Sequence, residues 1–368
     1  MPPTTSPDAR HIGIAQLIGV SLLAGCATFA APGYRGPRSD HFDGERFQNE
    51  EPFPEQRMGD LIRWQFHRHR GLWMEEHLLP GPPPPRRVGE GRLRVTFVNH
   101  STVLVQMDSL NILTDPVWSD YVGPDAETGR RRYRPPGLRF EDLPPIDVIL
   151  LSHNHYDHLD VPTLQRLVRA FHPRIVAGLG IQAYLQQQHV IRAGEEKDLD
   201  WWERSELAPG IQVTFVPAEH WSGRGLTDHR RTLWGGFVIQ GPAGIVYFAG
   251  DTGFGRFLQE VKARFGRMRL ALLPIAPFRP SWYMHRKHMG PSDAVRAAQL
   301  LGAGTNIAVH WGTFELGDDG LQEPADSLQQ ELSVARPTVP RFWALENGEA
   351  RDIPRESDPR TPVSSRRR

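Results

Sequence analysis

Cysteine is almost absent from this chain of 368 residues, since its single copy is Cys26. One cysteine excludes an intramolecular disulfide and excludes a metal site built from several thiolates. Any metal site must therefore use histidine and carboxylate side chains, a donor set that suits zinc, manganese or iron.

The chain also lacks an excess of charge of either sign, because 43 Lys and Arg residues balance 43 Asp and Glu residues. This balance gives no electrostatic reason to expect a nucleic-acid partner. The sequence contains neither a G-x-S-x-G motif for a serine nucleophile nor a G-x-x-x-x-G-K-[ST] phosphate loop. We therefore expect neither serine-hydrolase chemistry nor binding of nucleoside triphosphates.

The N-terminal segment contains an apolar run, residues 12–23, that is too short to span a bilayer as a permanent helix. It ends in Leu23-Ala24-Gly25-Cys26, which resembles the lipobox of bacterial lipoproteins. We expect Cys26 to carry a lipid that anchors the protein in the bacterial cell envelope, at the outer membrane. The alternatives are a cleaved signal with an unmodified cysteine, or a buried helix.

Composition and periodicity divide the rest of the chain. Residues 32–54 are polar and rich in Gly and Pro, which predicts a tether or a strap over the domain, while 60–79 has helical character and 80–87 is a stiff proline-rich linker. The predicted organisation is a signal segment at 1–26, a tether and N-terminal extension at 27–90, a catalytic domain at 91–350 and a disordered tail at 351–368.

Apolar patterns within the catalytic domain predict an α/β fold. A helix is expected from Val161, with Asp160 as its N-cap, and a second helix is expected at 291–301. The predicted strand 147–152 has a continuous apolar run at 148–151, as in a strand that is buried on both faces. The predicted strands are 92–99, 102–107, 110–113, 147–152, 212–216, 233–240, 245–249, 270–274 and 307–309.

Four metal-binding residue types crowd the end of one of these strands: His153, His155, Asp157 and His158. The two histidines nearer the strand point one way, while the other two residues belong to the following turn and can reach a second ion. Four titratable groups in this position would repel or desolvate one another without a cation. The His-x-His-x-Asp-His spacing therefore predicts a site for two metal ions, the alternative being a chance crowding of polar residues.

The remaining ligands are expected after later strands. His220, Asp251 and His310 each stand just after an apolar run, and the glycines near them allow the backbone to approach closely. The predicted ligands are His153, His155 and His220 for one ion, Asp157, His158 and His310 for the other, and Asp251 as the bridge between them.

This pattern resembles the metallo-β-lactamase superfamily, and more closely the N-acyl-phosphatidylethanolamine-hydrolysing phospholipase D family, over roughly residues 60–348. The resemblance implies an αβ/βα sandwich, with two mixed β-sheets flanked by helices and two zinc ions at one edge, manganese or iron being the alternatives. Carrying over the family's ligands gives the same seven residues. The matching stretches are 99–105, 113–116, 143–147, 152–160, 200–203, 248–253 and 308–314.

The resemblance implies a phosphoric diester hydrolase that acts on N-acyl-phosphatidylethanolamine or a related phospholipid. Two ions would lower the pKa of a bridging water and clamp the phosphate in line, so that hydroxide attacks phosphorus. The same hydroxide could attack a carbonyl carbon, so hydrolysis of a carboxylic ester, lactone or β-lactam stays open. A third alternative is a non-catalytic envelope lipoprotein that binds metal, which the complete ligand set disfavours.

Catalytic roles are assigned to Asp157, Asp251 and His288. His288 stands shortly before Pro291, the start of a predicted helix, where an imidazole could contribute to an anion site. The matching family position is thought to face the substrate, and the alternative is a surface histidine near a helix cap.

Other aromatic and histidine residues receive supporting roles. His100 is expected to orient a metal ligand or Asp115. Five tryptophans could line a lipid groove, with core packing as the alternative for each of them. They are Trp201, Trp202, Trp221, Trp282 and Trp311.

Overall fold

The computed structural model describes residues 30–51, 58–192, 194 and 198–355. The predicted signal segment and Cys26 therefore lie outside the described residues. Within those ranges, no helix combines the length and the apolar character needed to cross a membrane.

Two mixed β-sheets, each accompanied by helices, form the centre of the molecule, which confirms the predicted fold class. The strands are β1 (Leu93–Asn99), β2 (Thr102–Met107), β3 (Leu110–Thr114), β4 (Tyr121–Val122), β5 (Arg130–Arg131), β6 (Val148–Leu151), β7 (Arg174–Ala177), β8 (Arg204–Ala208), β9 (Ile211–Val216), β10 (Gly236–Gly241), β11 (Gly244–Phe248), β12 (Leu270–Pro274), β13 (Thr305–Val309), β14 (Phe342–Trp343) and β15 (Ala350–Asp352). The helices are α1 (Met58–Phe66), α2 (Val161–Phe171), α3 (Ile181–Gln187), α4 (Phe257–Phe265), α5 (Ser281–Met284), α6 (Pro291–Leu301) and α7 (Glu323–Val334).

The order of the strands shows how the chain crosses between the layers. The first sheet has six strands in the order β15-β1-β2-β3-β6-β7, and the second has seven in the order β14-β13-β12-β11-β10-β9-β8. Strands β3, β6 and β7 run parallel to one another, as do β11, β12 and β13. The ends of several parallel strands therefore meet at one edge of the sandwich, where loops can converge.

Strand β6 illustrates why the central strands are apolar throughout. Val148 and Leu150 belong to the core that joins the two sheets, whereas Ile149 and Leu151 belong to the core beneath α2. Because side chains alternate along a strand, a strand with apolar neighbours on both faces must be continuously hydrophobic. The continuous run that the sequence displays is explained by this position.

The described part of the N-terminal extension is a strap rather than a tether. Phe42 and Phe47 are 1% and 0% exposed and belong to the core between the sheets. The backbone N–H groups of Tyr34 and Phe47 donate to the carbonyls of Arg231 and Arg230, both at 2.8 Å. Of the two interpretations of residues 32–54, the strap is correct for the described residues and the tether is wrong.

The predicted helix over 60–79 is wrong beyond Phe66, where α1 ends. The next residues take their hydrogen bonds from another part of the chain, since Arg68 pairs with Asp318 at 2.7 Å and the Gly71 N–H donates to the Asp318 carbonyl at 2.7 Å. Tertiary contacts of this kind override a modest helix propensity.

Segments on both sides of the predicted catalytic domain pack against it. Residues 80–87 lie against the first sheet, where the Gln106 side-chain amide donates to the Pro85 carbonyl at 2.8 Å. At the other end, Arg351 pairs with Val95 as part of β15, and Ile353 is buried. The tail therefore does not begin at 351, while residues 356–368 lie outside the described residues.

We expect Phe47→Ala to lower the free energy of unfolding by about 3–5 kcal/mol, because it removes a fully buried ring from the main core. Urea unfolding followed by circular dichroism measures this change. The matched control is Phe66→Ala, since Phe66 is 83% exposed and its loss should change stability by no more than about 0.5 kcal/mol. Equal stability of the two variants would contradict the assignment of the strap to the core.

Candidate metal centre

The seven predicted ligands converge at one edge of the sandwich because each follows the end of a strand. His153 comes after β6, His220 after β9, Asp251 after β11 and His310 after β13. The loop that carries Asp251 approaches closely because Gly250 has no side chain. A Cβ at Gly250 would lie 2.7 Å from the Cβ of Ser152, and its φ of +62° also favours glycine.

Three imidazoles form the first half of the cluster. Nδ1 of His155 lies 2.7 Å from Nε2 of His153 and 3.2 Å from Nε2 of His220. Burial lowers the pKa of His155 to about 3, and it lowers the pKa values of the other two well below their usual range. A neutral imidazole carries only one N–H group, so three ring nitrogens that face one another cannot all be paired by hydrogen bonds among themselves. One cation, by contrast, would accept a lone pair from each of the three nitrogens.

Two imidazoles and two carboxylates form the second half. Nε2 of His158 lies 3.4 Å from Oδ2 of Asp157 and 3.2 Å from Oδ2 of Asp251. Nε2 of His310 lies 3.3 and 3.0 Å from the same two oxygens. His158, His310 and Asp157 offer ligand atoms close enough to one another to hold a single ion, in a group that also includes His100, and neither Nε2 atom has a hydrogen-bond partner.

The charges in this half also call for a cation. Burial opposes protonation of His310, yet Asp251 and Asp157 raise its pKa to about 9. Burial likewise opposes protonation of His158, yet Asp251, with Asp157 and Asp115, raises its pKa well above its usual value. These buried carboxylates raise the pKa values of the imidazoles beside them because they are negatively charged. The same negative charge would stabilise a divalent cation.

Asp251 lies between the two halves. Its Oδ2 is 3.7 Å from Nε2 of His220 and 4.0 Å from Nε2 of His153 on one side. On the other side it is within 3.2 Å of His158 and within 3.0 Å of His310. Its Oδ1 is buried without a hydrogen-bond partner. This placement fits a carboxylate shared by two ions.

His288 also lies beside the cluster, so the alternative of a surface histidine does not fit. Its Nδ1 is 3.7 Å from Oδ2 of Asp251 and is buried without a hydrogen-bond partner. Burial lowers the pKa of this imidazole well below its usual value. The start of α6 is capped by Gly290, and His288 faces the metal-binding atoms from the segment that connects α5 to α6.

Hydrogen bonds from outside the cluster fix the orientation of its members. Nδ1 of His158 donates to Oδ2 of Asp115 at 2.6 Å, and Asp115 also accepts from the backbone N–H and hydroxyl of Ser152 at 2.8 and 2.6 Å. Nε2 of His100 lies 2.9 Å from Oδ2 of Asp157. The orienting role expected of His100 is therefore directed at Asp157, while Asp115 acts on His158.

Sequence reasoning missed the contribution of the strap. The Asn49 side chain accepts from the His220 backbone N–H at 3.1 Å and donates to the His220 carbonyl at 3.0 Å. Its Oδ1 also accepts from the Trp234 indole at 2.9 Å. Nothing in the local sequence signals this contact, because the two residues are 171 positions apart. Asn49 therefore positions a predicted metal ligand from a segment outside the resemblance.

A cavity of about 430 Å³ opens beside the cluster. Trp221 alone of the five named tryptophans lines it, together with Trp64, which the sequence did not indicate. The alternative of core packing holds for Trp201 and Trp311, which are buried. Trp202 packs under Arg264, and Trp282 is 43% exposed.

The two-sheet sandwich with a buried His and Asp cluster at its edge defines a metal-dependent hydrolase. The family model described as "Beta-lactamase superfamily domain" matches residues 110–311. The chain belongs to the metallo-β-lactamase superfamily.

Three known proteins are similar to this chain. N-acyl-phosphatidylethanolamine-hydrolyzing phospholipase D 1 of Caenorhabditis elegans is 36% identical over 73% of this chain and 79% of the relative. A UPF0173 metal-dependent hydrolase of Methanopyrus kandleri is 30% identical over 60% of this chain and 85% of the relative. The structure of Igni18, a metallo hydrolase from Ignicoccus hospitalis, superposes with a TM-score of 0.51 at 20% identity, covering 72% of this chain and all of the other.

We expect Asn49→Ala to weaken binding of divalent metal by about 10- to 100-fold, because it frees the backbone that holds His220 in place. Titration against a competing chelator measures the affinity, and the visible absorption of the Co(II)-loaded protein reports the ligand geometry.

The matched control for this change is Asn111→Ala. Asn111 is also buried and donates to the backbone carbonyls of Arg86 and Pro145, so its loss costs stability without touching the cluster. An unchanged affinity in Asn49→Ala, or an equal loss in both variants, would show that Asn49 has only a general structural role.

Proposed function

We propose that this protein is a binuclear metal-dependent phosphodiesterase of the phospholipase D type, acting on N-acyl-phosphatidylethanolamine or a related phospholipid. The observation that carries the proposal is the position of Asp251, whose Oδ2 lies within 4.0 Å of imidazole nitrogens from both halves of the cluster. A carboxylate in this position would serve as a ligand to two ions, which together would supply the charge and the activated water for phosphodiester hydrolysis.

The donor set fits two zinc ions. Three imidazoles would hold one ion, and two imidazoles with a carboxylate would hold the other, with Asp251 common to both. When bound, the pair supplies an activated water and neutralises charge that develops on the phosphate oxygens. The unpartnered nitrogens and carboxylate oxygen in the cluster support this assignment, because buried polar atoms are ordinarily satisfied. The residues that would hold the two ions are His153, His155 and His220 for one, and His158, His310 and Asp157 for the other.

Side chains around the cavity suit the rest of a phospholipid. His288 lies 3.7 Å from Asp251, where its free Nδ1 can hydrogen-bond to a phosphate oxygen or to the leaving alcohol. Lys287 adds a positive charge at the cavity wall, with its Nζ 5.4 Å from the centre of the Trp221 ring. Met284 contributes apolar surface, and such surface beside a charged centre accommodates glyceryl and acyl carbons.

The names of the relatives support this substrate class. The Caenorhabditis elegans protein, 36% identical to this chain, is named for hydrolysis of N-acyl-phosphatidylethanolamine. That similarity favours attack at phosphorus over attack at a carbonyl carbon, which the donor set alone does not distinguish.

Anchoring at Cys26 forms part of the proposal. Leu23-Ala24-Gly25-Cys26 resembles a lipobox, and a diacylated cysteine would hold the enzyme at the bacterial outer membrane, where phospholipid is available. Mass spectrometry of the mature N-terminus tests it, since a lipid-free Cys26 would contradict anchoring while leaving the proposed chemistry intact.

The chemistry is tested with the purified full-length protein loaded with zinc. We expect it to convert N-acyl-phosphatidylethanolamine in detergent micelles into an N-acylethanolamine and phosphatidic acid, both of which mass spectrometry detects. Release of a fatty acid from a carboxylic ester, without cleavage of any phosphodiester, would overturn the proposal in favour of the ester, lactone or β-lactam alternative.

We expect Asp251→Asn to lower kcat by at least about a thousandfold and to reduce the bound metal below two ions per chain, because an amide cannot balance two cations. The matched control is Asp198→Asn, since Asp198 accepts hydrogen bonds from the backbone N–H groups of Gly180 and Gln182 rather than from the cluster. Elemental analysis and steady-state kinetics measure both effects. Near-normal turnover in Asp251→Asn would place the bridge elsewhere.

A further inference from the structure

Several large exposed side chains stand next in sequence to residues that line the cavity. Leu226 is 83% exposed and directly follows Gly225, which lines the cavity. Trp282 is exposed and directly precedes the cavity residue Tyr283, and Tyr121 directly precedes Val122. Large exposed apolar residues that cluster around one opening mark a surface that binds a partner or a membrane.

Helix α1 extends this apolar surface. Met58, Ile62 and Phe66 are spaced four residues apart and are 69%, 49% and 83% exposed, so they form one stripe along the outside of the helix. The buried Trp64 of the same helix lines the cavity and packs against Tyr283, with ring centres 4.9 Å apart. Helix α1 therefore has one side in the cavity wall and an apolar stripe outside.

Positive charge accompanies the apolar residues. The Arg63 guanidinium lies 4.8 Å from the centre of the Trp282 ring, and Arg63 and Arg286 are both exposed. Arg70, four residues beyond α1, is also exposed but pairs with Glu315 at 3.4 Å, so the charge available to a partner comes from Arg63 and Arg286. Apolar side chains flanked by arginine match the interface of a bilayer that contains anionic lipid.

The start of the strap lies beside the same opening. The backbone N–H of Ala31 donates to Oδ2 of Asp228 at 2.8 Å, and Asp228 also accepts from the N–H groups of Arg224 and Gly225 at 3.0 and 2.7 Å. Ala31 is only five residues after Cys26, a length of chain that reaches at most about 17 Å. A lipid on Cys26 would therefore hold this rim within about 17 Å of the membrane surface.

We propose that this surface, formed by Met58, Ile62, Phe66, Leu226 and Trp282 and here named the rim face, docks onto a phospholipid bilayer and turns the cavity toward it. The inference deepens the proposed function, on which its choice of a lipid partner rests. Docking brings the cavity to the headgroups, so a phospholipid needs to move only part of its length out of the bilayer to reach the metal-binding cluster.

Flotation with vesicles tests docking separately from the lipid anchor and from catalysis. The protein is the full chain carrying Cys26→Ser, and the vesicles contain phosphatidylethanolamine and phosphatidylglycerol. The rim variant adds Phe66→Asp and Leu226→Asp, and the matched control adds Val334→Asp and Val339→Asp, two apolar residues that are 67% and 59% exposed away from the cavity. Thermal unfolding checks that each variant is folded.

We expect the Cys26→Ser protein to float with the vesicles, the rim variant to bind at least about tenfold more weakly, and the control to bind within about twofold. Flotation that is absent, or that the two double variants reduce equally, would overturn the proposal. A Cys26→Ser protein that does not float but forms a dimer that the rim variant disrupts would show that a second copy of the chain occupies the rim face.

Hydrolysis of a water-soluble short-chain phosphodiester is measured on the same proteins and should be unchanged in both double variants, because neither Phe66 nor Leu226 lines the cavity. Selective loss of flotation with no hydrolysis by any protein would refute the proposed function and leave docking standing. Hydrolysis without flotation would refute docking and leave the proposed function standing.

Discussion

Burial of carboxylates and imidazoles at one point is the constraint on which the rest of this structure depends. Asp115, Asp157 and Asp251 are largely removed from water at a single edge of the sandwich. An isolated buried carboxylate is strongly unfavourable, so each must be balanced by protons, hydrogen bonds or metal. The nearby imidazoles and backbone N–H groups supply part of this balance, and divalent cations would supply the remainder.

The fold provides rigid supports for this unfavourable arrangement. Each ligand follows a strand buried in a sheet, and His310 adopts a left-handed φ of 62°, which a non-glycine residue rarely adopts. Hydrogen bonds from Ser152 and Asn49 then fix the positions of neighbouring groups. Strain of this kind persists only where the surrounding structure over-determines the backbone, and here the two sheets, the connecting loops and the strap all contribute.

Local patterns made nine of the strands and helices α2 and α6 predictable, whereas β4, β5, β7, β8, β14 and β15 were not predicted. The apolar run 148–151 is enough to predict a strand, and four metal-binding residue types within six positions are enough to predict a metal site. Contacts between distant residues were not predictable in this way. In the Asn49–His220 pair and in the β1–β15 pairing, each residue contacts a partner far along the chain, and its local sequence does not indicate which partner that is. The same reason explains why the helix predicted over 60–79 was too long, since its C-terminal half bonds to residues near Asp318.

The strap also has a consequence for the order in which the protein assembles. Asn49 is synthesised early, but its partner His220 follows 171 residues later, and contacts of such long range form late in folding because of the cost of closing a large loop. A chain with both sheets in place but an undocked strap would lack the clamp on one of its imidazoles. We therefore expect metal loading to accompany the last stage of folding, so that the chain acquires its ions only after the strap has docked.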